Sequence, residues 1–492
     1  MSGRRKSLNA LLADIASARL HGRSDPVITS VEYDSRRVTG GSLFVAMRGL
    51  QADGAQFIRE AVQRGAAAVA GERVPTESLA VPFVKVPHAR RALAELAWSF
   101  YDHPERSLTM TGITGTNGKT TIAFLLRDVL ERAGHPAGLA GTLGINYGDV
   151  AVDTARTTPE SVDLAAHFAA MLDQGVHHLV MEVTSIGIDL ERTWGLPFCV
   201  TVFTNLTRDH LDYHGTEGNY REAKLRLFRE QPESGYAVMN ADDPQASHFI
   251  NAARGKLVTY AVDNAADYRA TNVCLTRQAV RFDVSAGGTE ITVEAPLIGR
   301  FNVYNLLAVI ASAHLLGVPL PTVQDALRES RPARGRAEIV PSSAPFTVIV
   351  DYAHTPDALE KILSTLRNLS PRRILTVIGA GGDRDRGKRP LMAEVCFRLS
   401  DVLFLTSDNP RSEDPEAILD DMAAGLPQDS HYFRNADRRA AIDSALREAR
   451  EGDIVLIAGK GHEAYQEIQG VQHPFDDRQA ALEWLQRAGY AR

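Results

Sequence analysis

The chain has 492 residues, more than one hydrophobic core usually spans, so two or three domains are expected. Its 54 Lys and Arg against 61 Asp and Glu leave a net charge of −7, which argues against a general nucleic-acid binder. Hydrophobic residues at 44% and charged residues at 23% exclude wholesale disorder, and no run of 18 or more apolar residues offers a membrane span.

The N-terminus opens with Arg4, Arg5 and Lys6, followed by the segment SLNALLADIASARL. Asp14 and Arg19 interrupt that segment, so it predicts an amphipathic helix and not a secretory signal, and a cytoplasmic protein is expected. Cys199, Cys274 and Cys396 are far apart and form no CxxC or Cys/His cluster, so they read as reduced core residues. Short strands (SLFVAM, AAAVAG, PFVKV) alternate with helices up to ARRALAELAWSFYDHP, where Pro104 stops the helical pattern. Residues 1–105 are therefore expected to form a first domain.

Residues 106–333 form the second expected domain. Apolar runs such as HLVMEV, FCVTVFT and YAVMN alternate with helical stretches, the grammar of parallel strands with crossover helices. The alternating segment 268–298 predicts antiparallel hairpins at one edge. After the linker RESRPARGR, residues 334–492 repeat the strand–loop–helix pattern in TVIVDYAHTPDAL, ILTVIGAGGDRDRG, VLFLTSDNPR and IVLIAGKGHE. The fold class is α/β in three domains, with a mostly parallel P-loop-type sheet in the centre. Ligands of such sheets bind at the carboxyl ends of strands, and each motif below follows a predicted strand.

The strongest local signal is Gly112-Ile113-Thr114-Gly115-Thr116-Asn117-Gly118-Lys119-Thr120-Thr121, between a strand and the helix IAFLLRDVLERAG. Glycines let backbone N–H groups approach a polyphosphate, the helix N-terminus adds its dipole, and Lys119 supplies a charge to the β- and γ-phosphates. The Thr120 hydroxyl is suited to Mg²⁺. ATP or GTP binding follows, although five residues instead of the usual four separate Gly112 from Gly118, and the loop does not distinguish a kinase, a switch or a ligase. Glu182 ends the strand HLVME, and His210 follows the strand CVTVFT, so two strand ends offer a carboxylate and an imidazole for divalent cations. Taken singly, the bland readings are a solvated acid and a structural histidine.

Gly115–Thr120, the segment Thr204-Asn205-Leu206 with Asp209-His210-Leu211-Asp212, and Asp351-Tyr352-Ala353-His354-Thr355-Pro356 resemble the Mur ligases, the ATP-dependent amino-acid-adding enzymes of peptidoglycan synthesis. The resemblance extends over essentially the whole chain. It implies a UDP-binding first domain, a central ATPase domain and a Rossmann-like third domain that takes the incoming amino acid. It further implies ATP and Mg²⁺ as co-substrate and cofactor, and an acyl phosphate formed on the D-glutamate side chain of UDP-N-acetylmuramoyl-L-alanyl-D-glutamate. The implied amine is meso-diaminopimelate, and a monomer is expected. L-Lysine as the amine, a folylpolyglutamate synthase-like ligase and a nucleotide-binding regulator are the competing readings.

The resemblance assigns Asn305, Arg336 and Asp351 to ATP, beside Gly115, Thr116, Asn117, Gly118, Lys119, Thr120 and Thr121. Without it, Asn305 reads as a helix N-cap and Arg336 as a solvated linker charge. Lys224, one polar residue of the helical segment NYREAKLRLF, matches a lysine that the family carbamylates, which would join Thr120, Glu182 and His210 as a metal ligand. Tyr33, Ser35, Gln51, Ala52, Asp53, Thr157, Thr158, Thr184 and Arg192 match positions that contact the UDP-muramoyl dipeptide. Thr157-Thr158-Pro159 also reads as a capped helix start, and Thr355-Pro356 as an N-cap with proline at the first helical position. Three positions depart from the family pattern: Ile186 replaces the usual histidine of the Ser-Ser-His segment, Arg156 stands where an asparagine is common, and Leu190 replaces a common glutamine. Arg384, Asp408, Asn409, Pro410, Arg411, Gly459 and Glu463 match the diaminopimelate contacts, with Arg411 placed to grip the second carboxylate of that amino acid.

Overall fold

A computed structural model describes residues 4–49, 52–276, 278–286 and 288–491. Among the described residues, three sheets of five or more strands follow one another along the chain, beside two small two-stranded ones. The first has five strands in the spatial order 19–21, 83–85, 68–71, 42–46 and 30–32, parallel except for the short edge strand Arg19–His21. The helix expected across SLNALLADIASARL is only Leu8–Leu12, because Arg19–His21 is drawn off to pair with Phe83–Lys85. The helix Ala89–Phe100 ends before Pro104, at Asp102 and His103, whose positive φ values turn the chain.

The central sheet has eleven strands, with Thr109–Thr114 between His178–Glu182 and Val200–Phe203. Parallel pairing runs from Ala137–Gly141 to Tyr268–Leu275. The strands Val280–Ala286 and Thr289–Ala295 then add antiparallel at one edge, the hairpins expected for 268–298. Helix Leu320–Arg328 lies against the last of these strands, and the Gln324 amide donates to the Thr292 carbonyl. Helix Arg300–Leu315 is apolar nearly all round (VYNLLAVIASAHL), so it is buried, and the polar residues of its first turns, Arg300, Asn302, Tyr304 and Asn305, line a cleft at its N-terminal end.

The third sheet has six strands, in which Thr347–Asp351, Ile454–Ala458, Ile374–Ile378 and Val402–Leu405 run parallel. ILTVI and IVLIA are buried along their whole length, as strands covered on both faces must be. Helices Pro356–Asn368, Lys388–Leu399, Arg438–Glu448 and Asp477–Arg487 cover this sheet. All three cysteines are free, but only Cys396 is a core residue: Cys199 is half-buried and Cys274 is exposed on an edge hairpin. Among the described residues no helix is long and apolar enough to cross a membrane.

Candidate functional site

The loop Gly115–Gly118 leaves the central strand Thr109–Thr114 and enters the helix Lys119–Arg132. Its two glycines have φ +147° and +90°, and a Cβ on either would strike a neighbour: Thr204 Oγ1 at 1.9 Å for Gly115, Asn305 Oδ1 at 2.5 Å for Gly118. The adjacent strand end braces the loop. Asn205 accepts from the Thr116 N–H at its carbonyl (2.8 Å) and from the Asn117 N–H at Oδ1 (3.0 Å), while the Thr204 hydroxyl donates to the Asn117 carbonyl (2.7 Å). Lys119 Nζ curls back onto the carbonyls of Gly115 and Thr116, both at 2.8 Å. Burial pushes its ammonium below the ordinary lysine value, while Glu182 and Asp209 oppose the shift.

The pairing of Glu182 with Ile113 sets this carboxylate beside the phosphate loop. The Thr120 hydroxyl donates to Glu182 Oε2 at 2.9 Å, and the Thr142 N–H donates to Oε1 at 2.8 Å. Arg336 arrives from the far side of the cleft and donates to the Thr120 hydroxyl at 3.1 Å, with its guanidinium 4.7 Å from the Tyr352 ring centroid. Arg336 is thus an interior contact and not a solvated linker charge.

Lys224 also departs from the bland reading. Its helix Glu217–Glu230 turns it inward, where it is 1% exposed and donates to the Gly115 carbonyl at 3.0 Å. Burial, then the nearby Lys119, hold its amine well below the ordinary lysine value. His210, at φ +53°, stands beside the Tyr220 ring that also faces Lys224. Among the described residues no three His, Cys, Asp or Glu side chains gather into a ready-made metal cluster. Thr120 and Glu182 are in contact, whereas His210 and Lys224 make no hydrogen bond to either.

A cleft of about 640 Å³ opens between the central and third sheets, lined by Thr116–Thr121, Glu182, His210, Asn305, Arg336 and Asp351. Asn305 lies inside the helix Arg300–Leu315, whose N-cap is Gly299, so it does not cap the helix: it donates to Asn302 Oδ1 and turns its own Oδ1 toward Gly118. Asp351 accepts from the N–H groups of Ala337 and Ala353, and burial raises its carboxyl. Thr355 caps its helix by accepting from Ala358 N–H, with Pro356 in the first turn as expected. Burial, reinforced by Lys388, pushes His354 down to about 4.

Toward the first sheet, Tyr33 donates to Asp163 at 3.1 Å, Ser35 to Glu60 at 3.3 Å, and Asp53 caps the turn Gly54–Phe57. Ala52 closes the turn before it by accepting from the Gly49 N–H, while Gln51 lies outside the described residues. Thr157 and Thr158 do not cap a helix. The helix begins at Ser161 after Glu160, and the Thr158 hydroxyl instead bonds the Glu182 carbonyl (3.0 Å) and the Thr184 hydroxyl (2.9 Å). Thr157 and Thr184 line the same cleft as Lys119. Arg192 is buried and donates to Glu160 at 2.9 Å and the Thr158 carbonyl at 3.1 Å. Where Ile186 replaces the expected histidine, His214 reaches in from another helix and meets the Ser185 hydroxyl at 3.0 Å.

At the third sheet, Asp408–Arg411 follows the strand Val402–Leu405. Asn409 is 1% exposed, and its Oδ1 accepts from both Lys460 Nζ (2.9 Å) and the Glu467 N–H (3.0 Å), so its side chain is committed within the fold. Asn409 Nδ2 donates to Glu463 Oε2 at 2.8 Å. Arg411, in a left-handed conformation at φ +52°, donates to the Gly382 carbonyl and lies 3.3 Å from Glu467. Asp408 faces Gly459, where a Cβ would approach its carboxylate to 2.7 Å, and the exposed Arg384 turns to the Asp383 carbonyl. Two residues of this region escaped the sequence reading. Asp357 Oδ2 gathers Asn117, Thr207 and Lys361, and the buried Lys460 ties Asn409 to Glu463. The acid following Thr355-Pro356 and the lysine between two glycines were the only signals available.

Three family descriptions match the chain in order: Mur ligase family, catalytic domain, at residues 27–101; Mur ligase middle domain at 113–313; and Mur ligase, glutamate ligase domain, at 335–461. The chain belongs to the Mur ligase family. A relative from Geobacillus thermodenitrificans, named UDP-N-acetylmuramoyl-L-alanyl-D-glutamate--2,6-diaminopimelate ligase, is 44% identical over 481 residues, 96% of this chain and 98% of its own. One of the same name from Solibacter usitatus is 44% identical over 94% of both chains. A solved structure of that name is 34% identical, with a TM-score of 0.68 over 94% of this chain and 95% of its own. MurF ligase from Thermotoga maritima in complex with ADP shares the fold, at 18% identity and a TM-score of 0.63 over 93% of this chain and 97% of its own.

Proposed function

We propose that the protein is an ATP-dependent ligase joining meso-diaminopimelate to the D-glutamate side-chain carboxylate of UDP-N-acetylmuramoyl-L-alanyl-D-glutamate. The observation that carries this reading is the meeting of Lys119, Thr120 and Glu182 with Arg336 across one cleft, in a chain 44% identical over nearly its whole length to ligases of that name. In the same reading, residues 1–105 bind the UDP-muramoyl part, 106–333 bind ATP, and 334–492 take the amino acid. A cytoplasmic, monomeric enzyme belongs with it.

The γ-phosphoryl group of ATP passes to the carboxylate, giving an acyl phosphate and ADP. The amine of diaminopimelate attacks the acyl carbon, phosphate leaves, and the amine gives up a proton. Two anions must first meet, so the site has to neutralise charge. Lys119, which now rests on two loop carbonyls, is the cation for the transferring phosphate, and the N–H groups at the start of the helix Lys119–Arg132 hold the rest of the phosphate chain. Asn305 and Asp351 hold the nucleoside end and Arg336 the phosphates.

Thr120 and Glu182 offer hard oxygen donors in contact, the class Mg²⁺ takes, and a site with few carboxylates suits an ion shared with substrate phosphates. Bound there, Mg²⁺ would screen the phosphate charge. Lys224 fits a carbamate: carbamylation needs an uncharged amine, and burial beside Lys119 favours that form. The carbamate and His210 would complete the donor set. Arg192, Thr157, Thr158 and Thr184 hold the dipeptide end, and Tyr33, Ser35, Gln51, Ala52 and Asp53 the UDP end. Arg384, Asp408–Arg411, Gly459 and Glu463 receive diaminopimelate. ADP release that requires the protein, UDP-muramoyl dipeptide, ATP and diaminopimelate together tests the reading; release without the amino acid, or equal use of L-lysine, overturns it.

A further inference from the structure

Two loops of the third sheet carry the arginines of the amino-acid end: Gly379–Gly387 presents Arg384, and Asp408–Asp414 presents Arg411. Each contains a non-glycine residue in the left-handed region, Asp383 and Arg411, both at φ +52°. Such a conformation is unfavourable for a residue with a Cβ and persists only where the surroundings enforce it. The Glu467 carbonyl and the Gln469 N–H hold the Arg411 backbone, and at Asp383 one carboxylate supplies the enforcement. Glu413 Oε1 accepts from the Asp383 N–H (2.6 Å) and from Arg389 (2.7 Å), and Oε2 accepts from Arg386 (2.7 Å) and Arg389 (3.0 Å). Arg389 is 0% exposed, anchored also by Asp421 at 2.7 Å and the Gly381 carbonyl at 3.2 Å. Asp383 returns the tie by accepting from the Ser412 hydroxyl at 2.7 Å, and Gly382 N–H donates to the Asn409 carbonyl at 2.9 Å.

We infer that Glu413, fixed by the buried Arg389, is the positioning residue that holds the Arg384 and Arg411 loops in register for the incoming amino acid. The inference rests on the function proposed above. Glu413 turns its carboxylate onto the Asp383 N–H of the facing loop and onto the Arg386 and Arg389 side chains, so it acts through the loops that carry Arg384 and Arg411. The bidentate pair with Arg389, which lies on the helix Lys388–Leu399, fixes the direction of the Glu413 carboxylate. Displacing a binding group by about 1 Å can cost about a hundredfold in rate or affinity.

The test compares the full-length wild type with Glu413→Gln and Glu413→Ala in steady-state ADP release, together with thermal unfolding. The expected result is a KM for diaminopimelate raised about tenfold in Glu413→Gln and about a hundredfold in Glu413→Ala. KM for ATP and for the UDP-muramoyl dipeptide should stay within about twofold, and the preference for diaminopimelate over L-lysine should shrink. A parallel rise in all three KM values, or a fall in kcat at unchanged diaminopimelate KM, would overturn the inference. Should Glu413→Ala fail to fold, Ser412→Ala removes only the hydroxyl half of the Asp383 tie and leaves the Ser412 N–H bond to Asp383 in place. It should raise the diaminopimelate KM alone, by a few-fold, and no rise there counts against the inference. Failure of the function itself reads differently, since the wild type would then use neither amino acid, release ADP without one, or use both equally.

Discussion

The two ends of the proposed site are built on opposite principles. At the end proposed to take the phosphates, one loop of four residues leads into a helix N-terminus, and a neighbouring strand end locks the loop by accepting from its Thr116 and Asn117 N–H groups. At the amino-acid end, no single segment is enough. The loops after Ile374–Ile378, Val402–Leu405 and Ile454–Ala458 converge, and the side chains between them are mostly occupied with one another. A site made of backbone geometry tolerates little variation and does one thing, whereas a site made of cross-braced loops can change its ligand by altering one or two side chains. Nucleotide use should therefore be brittle here, and amino-acid choice adjustable.

The largest effect should come from the rigid end. Lys119→Ala is expected to lower ADP release by about a thousandfold or more while the thermal unfolding temperature stays near that of the wild type, because the lysine's partners are loop carbonyls that water can serve. Next comes Lys224→Ala, expected to lose about a hundredfold or more in kcat and to regain part of it with added acetate or formate, since a small carboxylate can stand where the carbamate would. Activity that ignores both the substitution and the added acid would refute the carbamate.

At the adjustable end, Arg411→Ala should leave ATP affinity intact and reduce the ratio of kcat/KM for diaminopimelate over L-lysine by about thirtyfold or more, the worth of one charged pair with the second carboxylate. An unchanged ratio would show that Arg411 is committed to Gly382 and Glu467 alone. The smallest effect concerns pH. His354 and His462 are both pushed down to about 4, mainly by burial. With folded values below the ordinary imidazole value, the unfolded chain binds protons more readily. Their contribution to stability is therefore complete above about pH 6.5 and is lost as pH falls toward 4, at up to about 1.4 kcal/mol per pH unit for each imidazole. Unfolding midpoints between pH 7 and 4 should fall with that slope, and less steeply in His354→Asn.

The same contrast decides what could be read from the residues alone. Gly115–Thr121 is contiguous, and each residue's task follows from its chemistry, so its position at a strand end needed no tertiary information. Alternation in 268–298 and the unbroken apolar runs of the third sheet were legible for the same reason. Lys224 was not: nothing in NYREAKLRLF distinguishes its inward face from an ordinary polar one until the helix packs against the loop. The helix expected over residues 7–20 failed because pairing with Phe83–Lys85, a partner more than sixty positions away, outweighed a local pattern. Asn409 shows the converse limit, since its motif is conspicuous while the two donors that fill its Oδ1 come from elsewhere in the chain.

The far edge of the central sheet carries a consequence for the protein outside catalysis. Eleven strands present two terminal strands whose free backbone groups could template pairing with another chain. One ends in Val150–Val152, only three residues long. On the other, Thr289–Ala295 is met by the helix Leu320–Arg328, with Gln324 taking up the Thr292 carbonyl. A brief terminus and a capped one leave little unbroken ladder for edge-to-edge association, so a sheet this wide can be kept at high concentration without recruiting copies of itself.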